Sequence, residues 1–407
     1  MPTLLHIDMD SYFASVEQQF NQNLAGKPVG VLKALGRTCV IAASREAKKY
    51  GIKTGTSVWD ARALCPQITF VPADFDKYFS VTKKFIKICE NFSPYFEVFS
   101  IDELFLDVTL TQPLFGSAPV IAQKIKEQIK KEIGQYVTCS VGISYNRLLA
   151  KLASGMNKPD GVFEITSQNR DEVLFKANLT DMCGIGRRLE KRLLNMGIKN
   201  LKILRQIPLN TLKAEFGLSL AQNLKNFSYG EDSSRLTNLD DLTDAKSISR
   251  TFTLFKDTTD EIKIRQTLLN LCAEVGYKLR KMRMEGRQFG LGIRGDNQDE
   301  CVHKTFKIYT DSNSEIFKII WNLYRNLSWK NSVRFLGVWA GLLSRNENLT
   351  MCLFPEEQKK QKLNLAVDKI NNKFGGFTLY PATLLGGELI RPEVNGYLGD
   401  KKYQFGV

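Results

Sequence analysis

Apolar and polar residues along the first 165 positions alternate between the period of a strand and the period of a helix, which predicts strands followed by helices. The segment TLLHIDM (3–9) is typical of a strand, and DSYFASVEQQF after it predicts a helix capped by Asp10 or Ser11. This repeated order is typical of an α/β sheet covered by helices. Further strands are predicted in KPVGVLK, RTCVIAAS, FEVFS, LFLDV and TCSVGIS, and further helices in REAKKYG, at 75–92 and at about 118–134.

The second half of the chain has a different pattern. The stretch 181–198 contains short helical segments broken by glycines, and the polar stretch 233–246 lacks strong periodicity, which predicts a linker. From KSISRTFTLF onward, strands and two amphipathic helices (about 260–284 and 313–327) predict another small α/β unit. Beyond Asn346, EEQKKQKLNLAVDKINNKFG predicts one helix, and FTLYPATLL predicts an extended segment.

The segment FSIDELFLDVT (99–109) carries two adjacent acids, Asp102 and Glu103, inside an apolar run. Because acids are depleted inside strands, the pair lies either in a turn at the sheet edge or in a site that needs negative charge. If EVFS and LFLDV form a hairpin beside the first strand, Asp8 joins them at one edge. Clustered carboxylates suit Mg²⁺, and two such ions assist phosphoryl transfer. Alternatively, Asp8 caps a helix and the pair is a solvated turn; the spacing alone favours neither.

Composition narrows the classes of protein and of chemistry. The 407 residues predict about two to four domains, and 43% hydrophobic residues provide enough apolar material for their cores. With only two histidines, we expect no His-based metal site and no Ser-His-Asp triad. The eight cysteines lack CxxC spacing, and no apolar run approaches the roughly 18 residues of a membrane span. We therefore expect a cytoplasmic protein without a zinc ribbon or a disulfide framework.

The net charge of +14 is unevenly distributed along the chain. Residues 247–345 hold 17 lysine and arginine residues against 10 aspartate and glutamate residues, a net charge of +7. Surplus positive charge attracts phosphate backbones, although basic proteins without a nucleic-acid role are common. Near the predicted carboxylate edge, Lys151, Lys158 and the segment SREAKKYG add basic side chains. They indicate either a phosphate site or ordinary solvated lysines.

Four motifs together resemble those of the Y-family translesion DNA polymerases: HIDMDSYFASVEQ, SIDELFLDV, GISYNRLLAKLASGMNKPDG and CGIGRRLEKRLLNMGI. They stand in the family's order, and the resemblance covers about the first 345 residues. It implies an α/β multidomain right-hand polymerase with a ferredoxin-like palm, small fingers, a helical helix-hairpin-helix thumb, an α/β little finger and a C-terminal extension. The implied ranges are 1–10 and 73–166 for the palm, 11–72 for the fingers, 167–232 for the thumb, 233–246 for the linker, 247–345 for the little finger and 346–407 for the extension.

The resemblance implies a catalytic site for two Mg²⁺ ions. Asp8, Asp102 and Glu103 match the family's metal-binding acids, and the backbone carbonyl of Met9 is a further ligand. Asp10 completes the DMD motif, but it is not a principal ligand in the family.

The resemblance also implies a nucleotide site. Phe13 matches the aromatic steric gate that excludes a ribose 2′-hydroxyl, although the helical pattern alone favours a core phenylalanine. Tyr12 would meet the triphosphate through its backbone, and Lys158 matches the lysine that contacts the triphosphate.

The segment SREAKKYG departs from the family pattern. Many members have Tyr-Glu-Ala-Arg where this chain has Arg45, Glu46, Ala47 and Lys48. An amine thus replaces a bidentate guanidinium, and Arg45 would supply the phosphate contact that Lys48 supplies less well. The Glu-Ala-Lys form of this segment and the long tail resemble the polymerase V catalytic subunit more than polymerase IV.

Contacts with DNA are implied in two places and a contact with a sliding clamp in a third. The turn Gly184-Ile185-Gly186 would offer backbone N–H groups to a DNA phosphate, and the basic segment 277–288 would hold the duplex, although its charges also suit an exposed helix face. The segment LTMCLFPEE resembles a degenerate sliding-clamp peptide, in which Met351, Leu353 and Phe354 would enter a groove on the clamp; core packing explains these three residues equally well.

The function implied is template-directed addition of dNTPs to a primer 3′-hydroxyl on primer-template DNA, with low fidelity and no proofreading domain, by a monomeric chain. Two rivals are a non-catalytic relic that binds DNA and the clamp, and a palm-type nucleotidyl cyclase. The intact acids Asp8, Asp102 and Glu103 oppose the first rival, and the helix-hairpin-helix and basic region oppose the second.

Overall fold

Two units are present in the computed structural model, which describes residues 2–33, 37–237, 243–348, 355–376, 378–385 and 390. One unit runs up to residue 237 and the other begins at residue 243, so the division falls inside the predicted linker. The strands are β1 Leu4–Met9, β2 Val29–Leu32, β3 Val40–Ala43, β4 Thr69–Pro72, β5 Phe96–Val98, β6 Glu103–Asp107, β7 Cys139–Ser144, β8 Val162–Glu164, β9 Ser247–Thr258, β10 Met284–Gly295, β11 Gln298–Thr310 and β12 Val333–Arg345.

The helices cover much of the remaining described sequence. They are α1 Tyr12–Phe20, α2 Arg45–Lys48, α3 Val58–Leu64, α4 Phe75–Glu90, α5 Gln112–Phe115, α6 Ala118–Glu132, α7 Arg147–Met156, α8 Arg170–Lys176, α9 Arg187–Asn195, α10 Leu201–Gln206, α11 Leu209–Phe216, α12 Leu218–Tyr229, α13 Glu261–Lys281, α14 Asn313–Asn326 and α15 Pro355–Phe374. None of these helices is long and apolar enough to cross a membrane.

A five-stranded sheet in the order β5-β6-β1-β7-β8 forms the centre of the first unit. Strand β1 lies in the middle and pairs antiparallel with both β6 and β7, as the hairpin prediction requires. Its alternate residues Leu5 and Ile7 are fully buried in the core that includes α4 and α6. The opposite face of β1 therefore carries His6 and Asp8.

Helix α7 packs closely on that opposite face because Gly142 of β7 has no side chain. A Cβ atom at Gly142 would lie 2.1 Å from the carbonyl oxygen of Ala150 and 2.2 Å from the nitrogen of Ser154, both in α7. Glycine is thus required where helix and strand backbones meet. This packing brings the side chains of α7 next to His6 and Glu103.

Two further parts belong to the first unit. The three-stranded sheet β3-β2-β4 has its own small core with α2 and α3, and its β2–β3 pair is the predicted one. Helices α8 to α12 enclose a separate apolar core that also includes Leu149 and Leu152 of α7.

The second unit is a four-stranded antiparallel sheet in the order β11-β10-β12-β9, with α13 and α14 packed on one face. Asp260 caps α13 by accepting a hydrogen bond from the N–H of Ile262 at 2.9 Å. The helix ends at Lys281, three residues earlier than predicted, because Arg283 adopts a left-handed conformation (φ 54°) before β10 begins.

The predicted tail helix, α15, is a packed extension of this second unit. Asp368 of α15 accepts hydrogen bonds from Arg280 of α13 at 2.6 Å (Nε) and 3.0 Å (Nη2), and the Tyr277 hydroxyl donates to the side-chain oxygen of Asn372 at 2.6 Å. The segment predicted as extended after α15 instead contains a short 3₁₀ turn at Ala382–Leu384.

Candidate active site

The predicted carboxylates meet at one end of the five-stranded sheet. In the β1–β6 pairing, Asp8 lies directly opposite Glu103, and the N–H of Met9 donates to the carbonyl oxygen of Asp102 at 2.9 Å. Asp102 stands in the turn just before β6, where its side chain accepts a hydrogen bond from the Ser100 hydroxyl at 2.5 Å. The pairing of β1 with β6 brings Asp8, which is distant in sequence, next to Asp102 and Glu103.

Two lysines lie against these acids. Lys158 forms an ion pair with Asp8, and Lys151 forms one with Glu103. Both ion pairs are partly exposed, since the side chain of Lys158 is 37% exposed and that of Lys151 is 23% exposed. The two ammonium groups therefore lie where the carboxylate oxygens that could bind a divalent ion converge.

The two adjacent acids have opposite pKa shifts. Burial raises the pKa of Asp102 to about 6, and the charges of Glu103 and Asp8 act in the same direction. Burial also opposes ionisation of Glu103, but a hydrogen bond with His6 and the charge of Lys151 outweigh it and hold the pKa at about 2. The site therefore has more negative charge than its two lysines compensate, and a cation would stabilise ionised Asp102.

His6 is a residue of the site that the sequence reasoning did not name. Its ring is fully buried, with Nε2 3.0 Å from the Glu103 carboxylate and Nδ1 2.7 Å from the Ser154 hydroxyl. Burial lowers its pKa. Donor atoms of His6, Asp8 and Glu103 all lie within 4.8 Å of one another. The strand period would have found His6, because it stands two residues before Asp8 on the same face of β1.

Asp10 is buried and its carboxylate is held by hydroxyl and N–H groups of the protein. Its carboxylate accepts hydrogen bonds from the hydroxyls of Thr138 at 2.7 Å and Ser140 at 2.8 Å, and from the N–H of Asp160 at 2.8 Å. The last bond anchors the loop that contains Lys158. Ser11 is the residue that precedes α1, as predicted, but neither it nor Asp10 caps the helix with its side chain.

Arg45 and Lys48 lie on the short helix α2, whose first turn is capped by the Ser44 hydroxyl. The Arg45 guanidinium donates to the Thr138 hydroxyl and lies 3.4 Å from the Asp10 carboxylate. Desolvation and the positive charge of Lys158 lower the pKa of Lys48. With Lys151 and Lys158, four cationic groups therefore border the carboxylate end of the sheet, which suits a polyanion.

Phe13 and Tyr12 belong to a cluster of aromatic rings at the start of α1. The ring of Phe13 stacks on that of Tyr78 with centroids 4.4 Å apart, and its edge meets Phe75. The Tyr12 hydroxyl donates to the Tyr78 carbonyl at 2.8 Å and lies 2.9 Å from the Thr82 hydroxyl, which itself donates to the carbonyl of Ile101. Phe13 is 8% exposed, so it is a packed residue at the border of the site.

The predicted helix-hairpin-helix turn precedes α9. Gly184 has a φ of 105°, and Gly186 occupies the position before the first residue of α9, with no side-chain cap. Ile185 differs from the glycines, since its side chain is 3% exposed and its N–H donates to the Met182 carbonyl at 3.0 Å. The Ile185 side chain therefore packs inside the turn, and its N–H already has a partner within the protein.

Two other predicted contacts have different outcomes. In the basic segment 277–288, Arg280 is 9% exposed and bound to Asp368, so this arginine is structural and does not hold duplex DNA. Met351, Leu353 and Phe354 lie outside the described residues.

Three family models match the chain. The impB/mucB/samB family matches residues 7–155, and the C-terminal domain of the same family matches residues 245–351. A model described as the thumb domain of DNA polymerase-iota matches residues 180–232.

Curated relatives match over almost the full chain. A DNA polymerase IV of Pelotomaculum thermopropionicum is 36% identical over 387 residues, covering 94% of this chain and 95% of that protein. The DNA polymerase IV of Acetivibrio thermocellus is 32% identical over 390 residues (94% and 97%), and that of Moorella thermoacetica is 33% identical over 398 residues (95% and 96%). All three relatives are named DNA polymerase IV.

A solved structure has the same fold. The Y-family DNA polymerase chimera of Dbh and Dpo4 matches with a TM-score of 0.72 at 25% sequence identity, covering 84% of this chain and all of that one. This likeness and the thumb-domain match confirm the predicted fold class. The chain therefore belongs to the Y family of translesion DNA polymerases and is a DNA-directed DNA polymerase.

Proposed function

We propose that this polymerase adds dNTPs to a primer 3′-hydroxyl by phosphoryl transfer assisted by two Mg²⁺ ions. The observation that carries the proposal is the placement of Asp8 opposite Glu103, with Asp102 in the adjoining turn. The donor set consists of oxygens, which hard divalent cations prefer. The raised pKa of Asp102 supports the same assignment, because a bound cation would keep that carboxylate ionised.

Asp8, Asp102 and Glu103 would hold the ions together with the carbonyl oxygen of Met9. When bound, such ions activate the attacking hydroxyl and stabilise charge on the leaving pyrophosphate. His6 orients Glu103 through its hydrogen bond, and Ser154 fixes the other ring nitrogen of His6. His6 is thus a positioning residue in this proposal rather than a metal ligand.

The basic residues would bind the triphosphate of the dNTP. Lys158 and Lys151 neutralise acids that a metal would otherwise neutralise, so metal binding frees their ammonium groups for phosphate. Lys48 supports this role because desolvation and then the positive charge of Lys158 lower its pKa, and a bound polyanion would offset that repulsion. Arg45 would keep its link to Thr138 and Asp10 while its remaining N–H groups approach the phosphates.

Tyr12 and Phe13 would form the wall that faces the sugar. Stacking on Tyr78 fixes the plane of the Phe13 ring, and the Tyr12 hydroxyl is tied to the Tyr78 carbonyl and to Thr82. A rigid ring would exclude the 2′-hydroxyl of a ribonucleotide by steric contact alone. Rejection would then need no hydrogen bond from the protein.

The glycines before α9 would let a DNA phosphate approach the start of that helix. Gly184 and Gly186 are exposed, and the first N–H groups of α9 have no side-chain cap. Such contacts ignore sequence, as a moving polymerase requires. Binding to a sliding clamp through Met351, Leu353 and Phe354, and a monomeric state, remain predictions.

We further propose low fidelity, no proofreading, and synthesis across damaged bases. Primer extension with Mg²⁺ and dNTPs, on an undamaged template and on one with an abasic site, tests this directly. Extension past the abasic site, with more misinsertion than a replicative polymerase shows, is the expected result. Extension that stops before the abasic site would contradict the translesion role, and tight primer-template binding without any extension would favour a non-catalytic relic.

A further inference from the structure

Helix α15 contacts the rest of its unit mainly through polar side chains. Asp368 and Asn372 are hydrogen-bonded to α13. Lys360 forms an ion pair with Glu315 of α14, with 3.6 Å between nitrogen and oxygen. No described side chain of α15 belongs to the apolar core of this unit. The helix is therefore held by hydrogen bonds and by charge, and its apolar residues lie elsewhere on its surface.

Three apolar side chains of α15 are exposed on one side of the helix. Leu363, Ile370 and Phe374 are 63%, 36% and 66% exposed. Their spacing of seven and four residues places them in line along the helix. We call these three residues the apolar row. A surface helix normally turns such a row toward the core, so its exposure here is the reverse of the usual arrangement.

Exposed apolar residues continue beyond the end of the helix. Gly375, directly after α15, has a left-handed backbone with a φ of 106°. The side chain of Asn371 then donates to the carbonyl oxygen of Leu379 at 3.0 Å and accepts from its N–H at 2.8 Å. Leu379 and Tyr380, which are 43% and 37% exposed, are thereby held beside the last turn of α15. Exposed apolar side chains grouped in this way are typical of an interaction site.

A row of lysines runs beside the apolar row. We call it the lysine row, and its members are Lys359, Lys362, Lys369 and Lys373. All four are exposed, and none of them has an acid within ion-pair distance in the part of the chain that the structure describes. The Lys373 ammonium lies 5.1 Å from the centroid of the Phe374 ring, so the two rows are adjacent. Uncompensated positive charge thus borders exposed apolar surface.

We propose that these two rows bind an acidic amphipathic segment of a partner protein. The apolar side chains of that segment cover the apolar row, and its carboxylates face the lysine row. An amphipathic helix binds apolar surfaces in this manner, through side chains three, four and seven residues apart. The proposal concerns a protein contact and does not rest on the polymerase reaction.

Three other occupants match the two rows less well. A second copy of the chain would bring a second lysine row, so that like charges would meet. The phosphates of a nucleic acid would neutralise the lysines but would leave the apolar row without an apolar partner. Residues 386–407 of this chain hold three basic and three acidic residues, so they bring no surplus of negative charge to the lysine row.

Binding of a fluorescein-labelled peptide of three LEELLEE repeats to the full-length protein, followed by fluorescence anisotropy, tests the proposal. As a helix, this peptide has leucines on one side and glutamates on the other, and its length is close to the 20 residues of α15. We expect saturable binding with a Kd on the order of 10 µM. A peptide in which lysine replaces every glutamate should not bind. Absence of saturable binding of the acidic peptide would overturn the proposal.

The apolar row is tested by Phe374→Ala, which should weaken binding of the acidic peptide about 10-fold. Phe374→Leu keeps an apolar side chain and should stay within about 3-fold of the parent protein. The matched control is Leu365→Ala. Leu365 is 51% exposed on the same helix, but it stands two positions after Leu363 and therefore on another side. This control should leave peptide binding unchanged.

The lysine row is tested by Lys362→Glu with Lys369→Glu, which should weaken binding at least about 10-fold at low salt. The control Lys263→Glu with Lys330→Glu makes the same change in charge at exposed lysines outside α15 and should bind like the parent. Added salt should weaken binding by the parent but change it little in the lysine-row variant, a difference that a folding defect would not produce.

Several results would overturn the proposal. One is unchanged binding in both Phe374→Ala and the lysine-row variant, and another is an equal loss in their controls. If Phe374→Ala abolishes a concentration-dependent dimer, the rows hold a second copy of the chain. If deletion of residues 386–407 tightens peptide binding more than about 10-fold, the chain's own segment occupies the rows. If duplex DNA displaces the peptide and loses affinity in the lysine-row variant, the rows hold nucleic acid.

Discussion

Asp8 in the five-stranded sheet and Glu274 in the second unit each pair with a basic residue, but their surroundings differ. The ion pair of Lys158 with Asp8 joins side chains that are 37% and 18% exposed, whereas Arg250 and Glu274 are 6% and 8% exposed. Water and ions can therefore reach the first pair, while the second is enclosed by protein. The first pair can exchange its partners, whereas removing one partner of the second leaves an uncompensated buried charge.

The same contrast extends to the neighbours of each pair. Around Asp8, the acids Asp102 and Glu103 crowd together and Lys48 lies near Lys158, so like charges remain close. In the second unit, Arg280 is bound to Asp368 and to the carbonyl oxygen of Asp311. The cluster of like charges around Asp8 is typical of a ligand site, and the paired charges around Arg280 are typical of a structural network.

The largest effect is expected when the enclosed pair is broken. Arg250→Met alone leaves Glu274 buried opposite an uncharged side chain and should destabilise the second unit by about 3–5 kcal/mol. Urea unfolding followed by tryptophan fluorescence in a Trp59→Phe background reports on this unit, because the other three tryptophans lie there.

The double variant Arg250→Met with Glu274→Leu is the matched control for that experiment. It removes both charges, so most of the lost stability should return. A single variant that costs under about 1 kcal/mol would show that the pair is dispensable, as exposed ion pairs are, and would remove the contrast between the two units.

The next largest effect concerns Phe13, which would face the sugar of the nucleotide. Phe13→Ala should raise ribonucleotide incorporation relative to deoxyribonucleotide incorporation by roughly 100-fold, because a hydroxyl then meets empty space instead of a ring. Single-nucleotide incorporation with matched rNTP and dNTP measures the ratio, and Phe13→Tyr, which keeps the ring, should retain the parent selectivity. Unchanged selectivity in Phe13→Ala would make Phe13 a core residue only.

A smaller effect is expected from Lys158→Met. Loss of one charged contact to phosphate should raise KM for dNTP about 30-fold, since such contacts contribute roughly 1.5–3 kcal/mol. Stability should change little because the pair with Asp8 is partly exposed. Lys49→Met, at an exposed lysine following α2, is the control and should leave KM unchanged. A large loss of stability without a change in KM would place Lys158 among the structural pairs.

The smallest effect is a pH dependence in the second unit. Burial and then the charge of Asp311 raise the pKa of Glu285 to about 7 from its ordinary value of 4.5. A raised folded-state pKa means that the folded protein holds the proton more tightly. The proton on Glu285 therefore stabilises the folded protein. This stabilisation is complete below pH 4.5 and is lost as the pH rises to about 7.

The urea midpoint of the second unit should therefore fall over that pH interval, and Glu285→Gln should flatten the fall. Measurement of the midpoint at several pH values in the Trp59→Phe background checks both statements. A midpoint that rises with pH in the parent protein and in Glu285→Gln alike would assign the dependence to other groups.

Much of the fold follows from local patterns in the sequence. The period of apolar residues located α4, α6 and α13, since each buries a continuous face, and a short apolar run located β1, which is buried on both faces. The hairpin that carries Asp102 and Glu103 was predictable because acids are depleted inside strands, so two acids in an apolar run indicate a turn or a site. Helix ends were less predictable: a single left-handed residue, Arg283, ended α13 early.

The rest of the site depended on three-dimensional neighbours. His6 was overlooked because histidines were counted along the chain and not placed on a face of β1. Arg280 resembled a DNA contact in sequence, but its partner Asp368 is 88 residues away. Ile185 resembled its glycine neighbours, but its side chain fills the helical core. Pairings across such distances leave no local signal.

The most direct test of the proposed active site compares two double variants by single-turnover primer extension across a range of Mg²⁺ concentrations. Asp102→Asn with Glu103→Gln removes two of the proposed metal ligands, and Asp76→Asn with Glu90→Gln makes the same change in charge on the exposed face of α4. We predict that the first abolishes extension at every Mg²⁺ concentration while primer-template binding survives, and that the second extends normally. Extension at the parent rate in the first variant, or loss of DNA binding together with extension, would contradict the account.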